Sequence, residues 1–406
     1  MRKIILLLLC LLVGHSPSLQ AQGNIDRVLQ AVEQNNTTLH ALQQEGVAAK
    51  AGLRTNLVLP DPEIDFAYLW GKPATIGTRK NFEVRQGLDI ATLAGIRSRA
   101  ANEEGILIDR QLRANRMDVL LEAKLLCLDV IYYNALLGEL RLRCNNARAI
   151  AAIEERRLET GHGNRLELNN VKLDLASVEG DIQRAEVERE AACRALVRLG
   201  AGETIALLTD TIFPNVQLPA DFATWYRQAE GNSPILAVSQ QQMAVNREQL
   251  KVTKADRWPK LSVGFTSEYL IGERFQGISV GLSIPLWGNK RKMTQARANI
   301  AAAEARHADI AAQYEGRLRE LFHLQAGLKQ TADTYAAILA QTDNTPLLKR
   351  ALDLGNITVM DYLLGTRLYY DARDKHLAAL RDWQKAVAEL TAMSLLAAGS
   401  PAAHIR

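Results

Sequence analysis

The chain has 406 residues, 48% of them hydrophobic and 23% charged, with Lys+Arg 49 against Asp+Glu 45. This composition excludes a disordered or collagen-like chain, and a net charge of only +4 excludes the concentrated basic surface of a nucleic-acid binder. Aromatic residues make up 5%, while Ala, Leu and charges of both signs recur throughout, which is the composition of long helices.

Met1, Arg2 and Lys3 lead into an apolar run over residues 4–13, then into Ser16, Pro17, Ser18, Leu19, Gln20 and Ala21. A basic start, an apolar run of about 10 residues and a small residue predict a secretory signal peptide over residues 1–21, since a membrane-spanning helix needs about 20 apolar residues. No later run is long enough for a membrane helix.

The remainder is written twice. At an offset of 194, Val84, Gly87, Leu88 and Ile90 match Ile278, Gly281, Leu282 and Ile284; Leu158, Gly161, Glu167 and Leu196 match Leu352, Gly355, Asp361 and Leu390. A fixed offset marks a duplicated supersecondary unit. The first repeat is expected over residues 22–200 and the second over 219–397, with a connecting segment at 201–218 and a tail at 398–406.

Each repeat opens with a helix, over 25–54 and 219–257, and continues into a segment with a period of two. In hairpin 63–90, Ile64, Phe66, Tyr68 and Trp70 alternate with Glu63 and Asp65, and Phe82, Val84, Leu88 and Ile90 with Glu83, Arg85, Gly87 and Asp89. Hairpin 260–286 repeats the pattern with Leu261, Val263, Phe265 and Tyr269, then Ile278, Val280, Leu282 and Ile284. Helical spacing follows over 96–160 and 165–199, and over 289–354 and 359–396, with turns at Gly161 to Asn164 and Gly355 to Thr358. Asn344-Thr345-Pro346 predicts a break in the third of these helices.

Cys127, Cys144 and Cys193 fall in helical text and read as buried small hydrophobes. There is no Cys-x-x-Cys motif, the histidines are scattered, and no nucleophile and base stand at a telling spacing. No metal site, cofactor or catalytic residue is expected, and the protein is read as not an enzyme.

Two-stranded hairpins are marginal alone and expose unpaired edges, so these need partners. Their lengths suffice to cross a bilayer as tilted strands, and their faces alternate as membrane barrels require. The candidate lipid-facing residues are Ile64, Phe66, Tyr68, Val84, Val263, Phe265, Ile278 and Val280, with Glu63, Asp65, Glu83 and Asp89 toward a wet interior. A bilayer tolerates strands only in closed barrels, so four strands per chain imply pooling, and three chains would give twelve. A small soluble sheet packed on a helical bundle is the alternative.

The order helix, hairpin, long helix, return helix, duplicated behind a signal peptide, resembles the TolC-like outer-membrane efflux family over about residues 24–397. Pro62-Glu63-Ile64, Trp258-Pro259-Lys260-Leu261-Ser262, the run from Ile278 to Trp287 and the run from Leu354 to Leu363 carry the likeness. The resemblance implies a mostly α fold with a small β part, assembled as a homotrimer whose 12-stranded β-barrel continues into a periplasmic α-helical barrel. It implies residence in the outer membrane of a Gram-negative bacterium, in contact with outer-membrane lipid and with a large periplasmic portion. The function implied is that of a passive exit duct for drugs, metal ions or polypeptides. A periplasmic adaptor (membrane fusion protein) would couple it to an inner-membrane pump, with the resistance-nodulation-division type a candidate.

The same resemblance implies adaptor docking at the tips: Gly161 and Asn164 in the first turn, Gly355 and Thr358 in the second, with Asn164 replacing the family hydroxyl. It also implies a periplasmic gate of Glu167 and Asp361, six carboxylates in a trimer, although Leu364 stands where a second family acid would follow. The plainer reading makes both glycines helix C-caps and both acids partners of the helix dipole. The alternative function is a secreted periplasmic coiled-coil adaptor or structural spacer.

Overall fold

Helices form where apolar residues recur at helical spacing, and they stop at Gly, Asn and Pro. A computed structural model describes residues 17–55, 57–216, 218, 221–270, 272–285 and 289–398. The apolar run expected in a signal peptide, Trp287 and the tail beyond residue 398 lie outside the described residues. The elements in chain order are α1 (Pro17–Asn35), α2 (Thr37–Thr55), β1 (Glu63–Trp70), β2 (Thr78–Leu88), α3 (Ile90–Leu93), α4 (Ile96–Glu159) and α5 (Arg165–Leu199). There follow α6 (Phe222–Asn232), α7 (Pro234–Ala255), β3 (Lys260–Leu270), β4 (Glu273–Ser283), α8 (Asn289–Gln341), α9 (Thr345–Asp353), α10 (Val359–Leu390) and α11 (Leu395–Ala398). The protein is mostly helical with one small antiparallel sheet.

The structure departs from the sequence expectation at equivalent places in the two copies. The helix expected over 25–54 is broken at Asn36, whose buried side chain donates to the Leu199 carbonyl at 2.9 Å. The segment expected as one helix over 219–257 is broken at Ser233, whose hydroxyl accepts from the Leu236 amide ahead of Pro234 at the first helical position. Ile90 and Ile284 lie outside the strands. After Leu88 the Asp89 carboxylate accepts from the Thr92 hydroxyl and from Arg97 Nε, both at 2.7 Å, and the chain turns into α3. Burial opposes ionisation of Asp89, but these donors outweigh it and hold its carboxyl below the usual range.

Two compact units emerge, and each draws on both copies of the repeat. One comprises Thr38–Asn115 and Gln228–Glu315 and holds the whole sheet, in the order β1-β2-β3-β4 with every pair antiparallel. The register sets Ile64, Val84, Phe265 and Ile278 side by side in one lateral row, and Gln86, Val263 and Val280 in the next. The opposite face carries Glu63, Asp65, Glu83 and Arg85.

The other unit comprises the described parts of Met1–Thr37, Arg116–Arg227 and Gly316–Arg406. Its main core packs Ile25, Val28 and Val32 of α1 on Leu128 and Ile131 of α4, with Leu196 of α5 and Leu208. Cys127 is buried in this core and Cys193 packs against it; Cys144 is also buried, and all three are free. A second core closes the far end of the helix pairs, joining Ile150 and Ala151 of α4, Val171 of α5, and Val359 and Tyr362 of α10.

Candidate functional site

Both turns between paired helices are built by the same device. Gly161 (φ +75°) and Gly355 (φ +72°) adopt the left-handed conformation that only glycine takes cheaply. In the first turn Gly161 N–H donates to the Leu158 carbonyl and His162 N–H to that of Arg157. In the second, Gly355 N–H donates to Leu352 and Asn356 N–H to Ala351. These paired bonds satisfy carbonyls that the helix end leaves open, so both glycines are C-caps.

The next helix starts differently in the two copies. Asn164 accepts from the Leu166 amide at 2.9 Å. Thr358 accepts from the Asp361 amide at 3.1 Å, and the Asp361 carboxylate takes back the Thr358 hydroxyl at 2.7 Å and amide at 3.1 Å, a complete capping box. The Thr358 hydroxyl and amide hold the Asp361 carboxyl below its usual range. Glu167 lies in the first turn of α5, half-buried, and its side chain makes no hydrogen bond among the described residues.

A groove of about 640 Å³ brings Glu167 together with Gly355, Thr358 and Asp361. Gly161 and Asn164 are exposed but do not line it. Two features of this end are absent from the sequence expectation. Glu154 is only 2% exposed, bonded through one oxygen to Arg157 at 2.9 Å while the other has no partner. Arg143 makes a two-pronged bond to Asp374 at 2.8 and 2.6 Å, with its guanidinium 4.4 Å from the centre of the Tyr370 ring. Their signal was present: Leu140, Arg143, Ala147, Ile150 and Glu154 follow a 3-4-3-4 spacing, which puts both charges on the buried stripe of α4.

Nearby groups respond to the same enclosure. Burial pushes the Tyr362 hydroxyl up to about 12, assisted by Tyr370, Asp353 and Asp174. Burial also raises Asp174, with Arg367 opposing it. No group of three His, Cys, Asp or Glu able to hold a metal ion occurs among the described residues, and no helix there is long and apolar enough to cross a membrane.

On the sheet, seven of the eight candidate lipid-facing residues are exposed: Ile64, Phe66, Tyr68, Val263, Phe265, Ile278 and Val280. Val84 is half-buried. The register places all eight on one face.

No protein-family model matches the sequence, and no curated protein does. Solved structures do match, bacterial outer-membrane proteins among them. The Campylobacter jejuni outer-membrane channel CmeC aligns with a TM-score of 0.76 at 14% identity, over 95% of this chain and 88% of that one. The Neisseria gonorrhoeae outer-membrane channel MtrE, in its open state, aligns at 0.68 and 14%, over 93% and 89%. The Vibrio cholerae outer-membrane protein VceC aligns at 0.63 and 14%, over 95% and 99%. The chain therefore has the TolC-like fold.

Proposed function

We propose that this protein is the outer-membrane exit duct of a tripartite efflux or secretion system. Three copies pool their strands into a 12-stranded barrel that continues into a periplasmic helical barrel. The duct itself is passive, and a periplasmic adaptor couples it to an inner-membrane pump. The observation that carries this reading is the sheet: four antiparallel strands with exposed apolar side chains concentrated on one face, ending in β1 and β4, which pair with no further strand among the described residues. Ile64 at 68% and Ile278 at 78% exposure would be costly to leave in water, and open edges invite further strands. A closed barrel in lipid removes both liabilities. A soluble spacer would leave both in place. The fold shared with CmeC and MtrE, each described as an outer-membrane channel, supports the same reading.

The two turns are the proposed adaptor-docking tips, through Gly161, Asn164, Gly355 and Thr358. Glu167 and Asp361 form the proposed periplasmic gate; in a trimer six carboxylates would narrow the path and favour cations. Light scattering on protein extracted from outer membranes in mild detergent, corrected for bound detergent, should give three chains per particle. A soluble monomer would refute the duct. Arginine at Phe66 or Val280 should abolish assembly, since a charge facing mid-bilayer costs about 2–4 kcal/mol. Glu167→Gln with Asp361→Asn should change cation selectivity in planar bilayers, and unchanged currents would remove both acids from the gate.

A further inference from the structure

Charge is divided between the sheet faces. The strand carboxylates Glu63, Asp65, Glu83, Glu268 and Glu273 all alternate onto the face opposite the apolar one. Arg79 and Arg85 share that face and are paired there, Arg79 with Glu268 at 2.5 Å and Arg85 with Glu83 at 2.8 Å. The apolar face holds no carboxylate, yet it carries Lys80 and Arg274. Neither is ion-paired among the described residues: Lys80 Nζ lies 5.6 Å from the centre of the Tyr68 ring, and Arg274 Nε donates to Ser267 Oγ at 3.3 Å.

These two cations share one lateral row, Tyr68, Lys80, Tyr269, Arg274, in which aromatic ring and cation alternate. The row stands near the hairpin loops, eight residues along β2 from the Leu88 row at the other end. Eight residues of strand span about 27 Å, or about 20 Å along the membrane normal at the usual tilt, close to the edge of a ~25 Å apolar band. A lipid-facing cation costs little at that depth and much at the midplane. Tyrosine rings favour the headgroup level, and Lys and Arg there attract anionic lipid.

We propose that this row binds phosphate-bearing lipid headgroups of the leaflet at the loop end of the sheet. The proposal rests on the lipid-facing reading above. With no carboxylate on its own face, the row takes its counter-anions from lipid, and Arg274 supplies the planar fork suited to phosphate.

The test uses the full-length protein in nanodiscs of equal parts phosphatidylcholine and phosphatidylglycerol, with lipids retained after transfer to detergent counted by native mass spectrometry. The wild type should retain phosphatidylglycerol preferentially. Lys80→Gln with Arg274→Gln should lower that preference roughly 30-fold, the effect of two surface cations. Lys80→Arg should keep it, and so should Arg79→Gln on the other face. Equal retention by wild type and the double variant would overturn the proposal. Complete competition by inorganic phosphate would also overturn it, by making the row a free-anion site. The same spectra report the oligomer, so if the double variant loses its assembly, the single variants Lys80→Gln and Arg274→Gln decide. Failure of the wild type to enter nanodiscs would overturn the lipid-facing reading itself, an outcome distinct from indifferent lipid binding.

Discussion

The two turns share a left-handed glycine but close by different means. The first folds tightly onto its own helix: a Cβ on Gly163 would lie 2.5 Å from the Leu158 amide nitrogen and 2.7 Å from the Arg157 carbonyl carbon. The equivalent residue in the second is Ile357, which packs into the core of Val359, Tyr362 and Val171. One turn is closed by the absence of a side chain, the other by a side chain used as a plug. What the duplication keeps is a left-handed glycine and an oxygen at the N-cap; the residues between are free to diverge.

That contrast can be broken most strongly at its centre. Gly163→Val should cost about 3 kcal/mol, the upper end for overpacking, because backbone cannot yield as a side chain would. Hydrogen exchange of the turn amides should show the loss in the first turn alone. Ile357→Ala should cost about 2 kcal/mol, read as faster exchange confined to the second turn and its core. Gly161→Ala and Gly355→Ala should each cost about 1 kcal/mol, and equally, since a Cβ at either would meet nothing within 4 Å and only the backbone conformation is penalised. Unequal losses would show that the shared device is not shared.

A smaller effect separates the caps by pH. Thr358 lowers the pKa of Asp361 in the folded turn, so this stabilisation is fully present above the unfolded value near 3.8. It is lost as pH falls through the folded value. Protection of the second turn should therefore decline in that acid window, and Asp361→Asn should abolish the decline. The first turn is capped by Asn164, which does not titrate, so its cap should contribute no such dependence.

Much of the fold was legible because its signals are local. Alternation marked the strands, and Gly161 and Gly355 marked the helix ends. The break at Ser233 was also legible, since Ser233-Pro234 is a helix-start pattern. The break at Asn36 was not, because its cause is distant: a Cβ on Gly200 would lie 2.9 Å from the Asn35 carbonyl carbon, and Asn36 reaches across to Leu199. The same holds for the pairing of β2 with β3, whose register sets Val84 opposite Phe265. At the tips the capping residues could be read from sequence, while the pairing of Arg143 with Asp374 required the helices to be brought together.

The division of the chain into units sets an order of birth. The sheet unit needs Gln228–Glu315 and the helical unit needs Gly316 onward, so a polypeptide emerging from its N-terminus completes neither until late in its synthesis. Until then the first hairpin waits without its mate, since β2 finds β3 only after about 170 further residues have appeared. A chain truncated near Arg227 would carry one complete copy of the repeat and no finished unit. Such half-length products should be cleared by proteases rather than accumulate as domains.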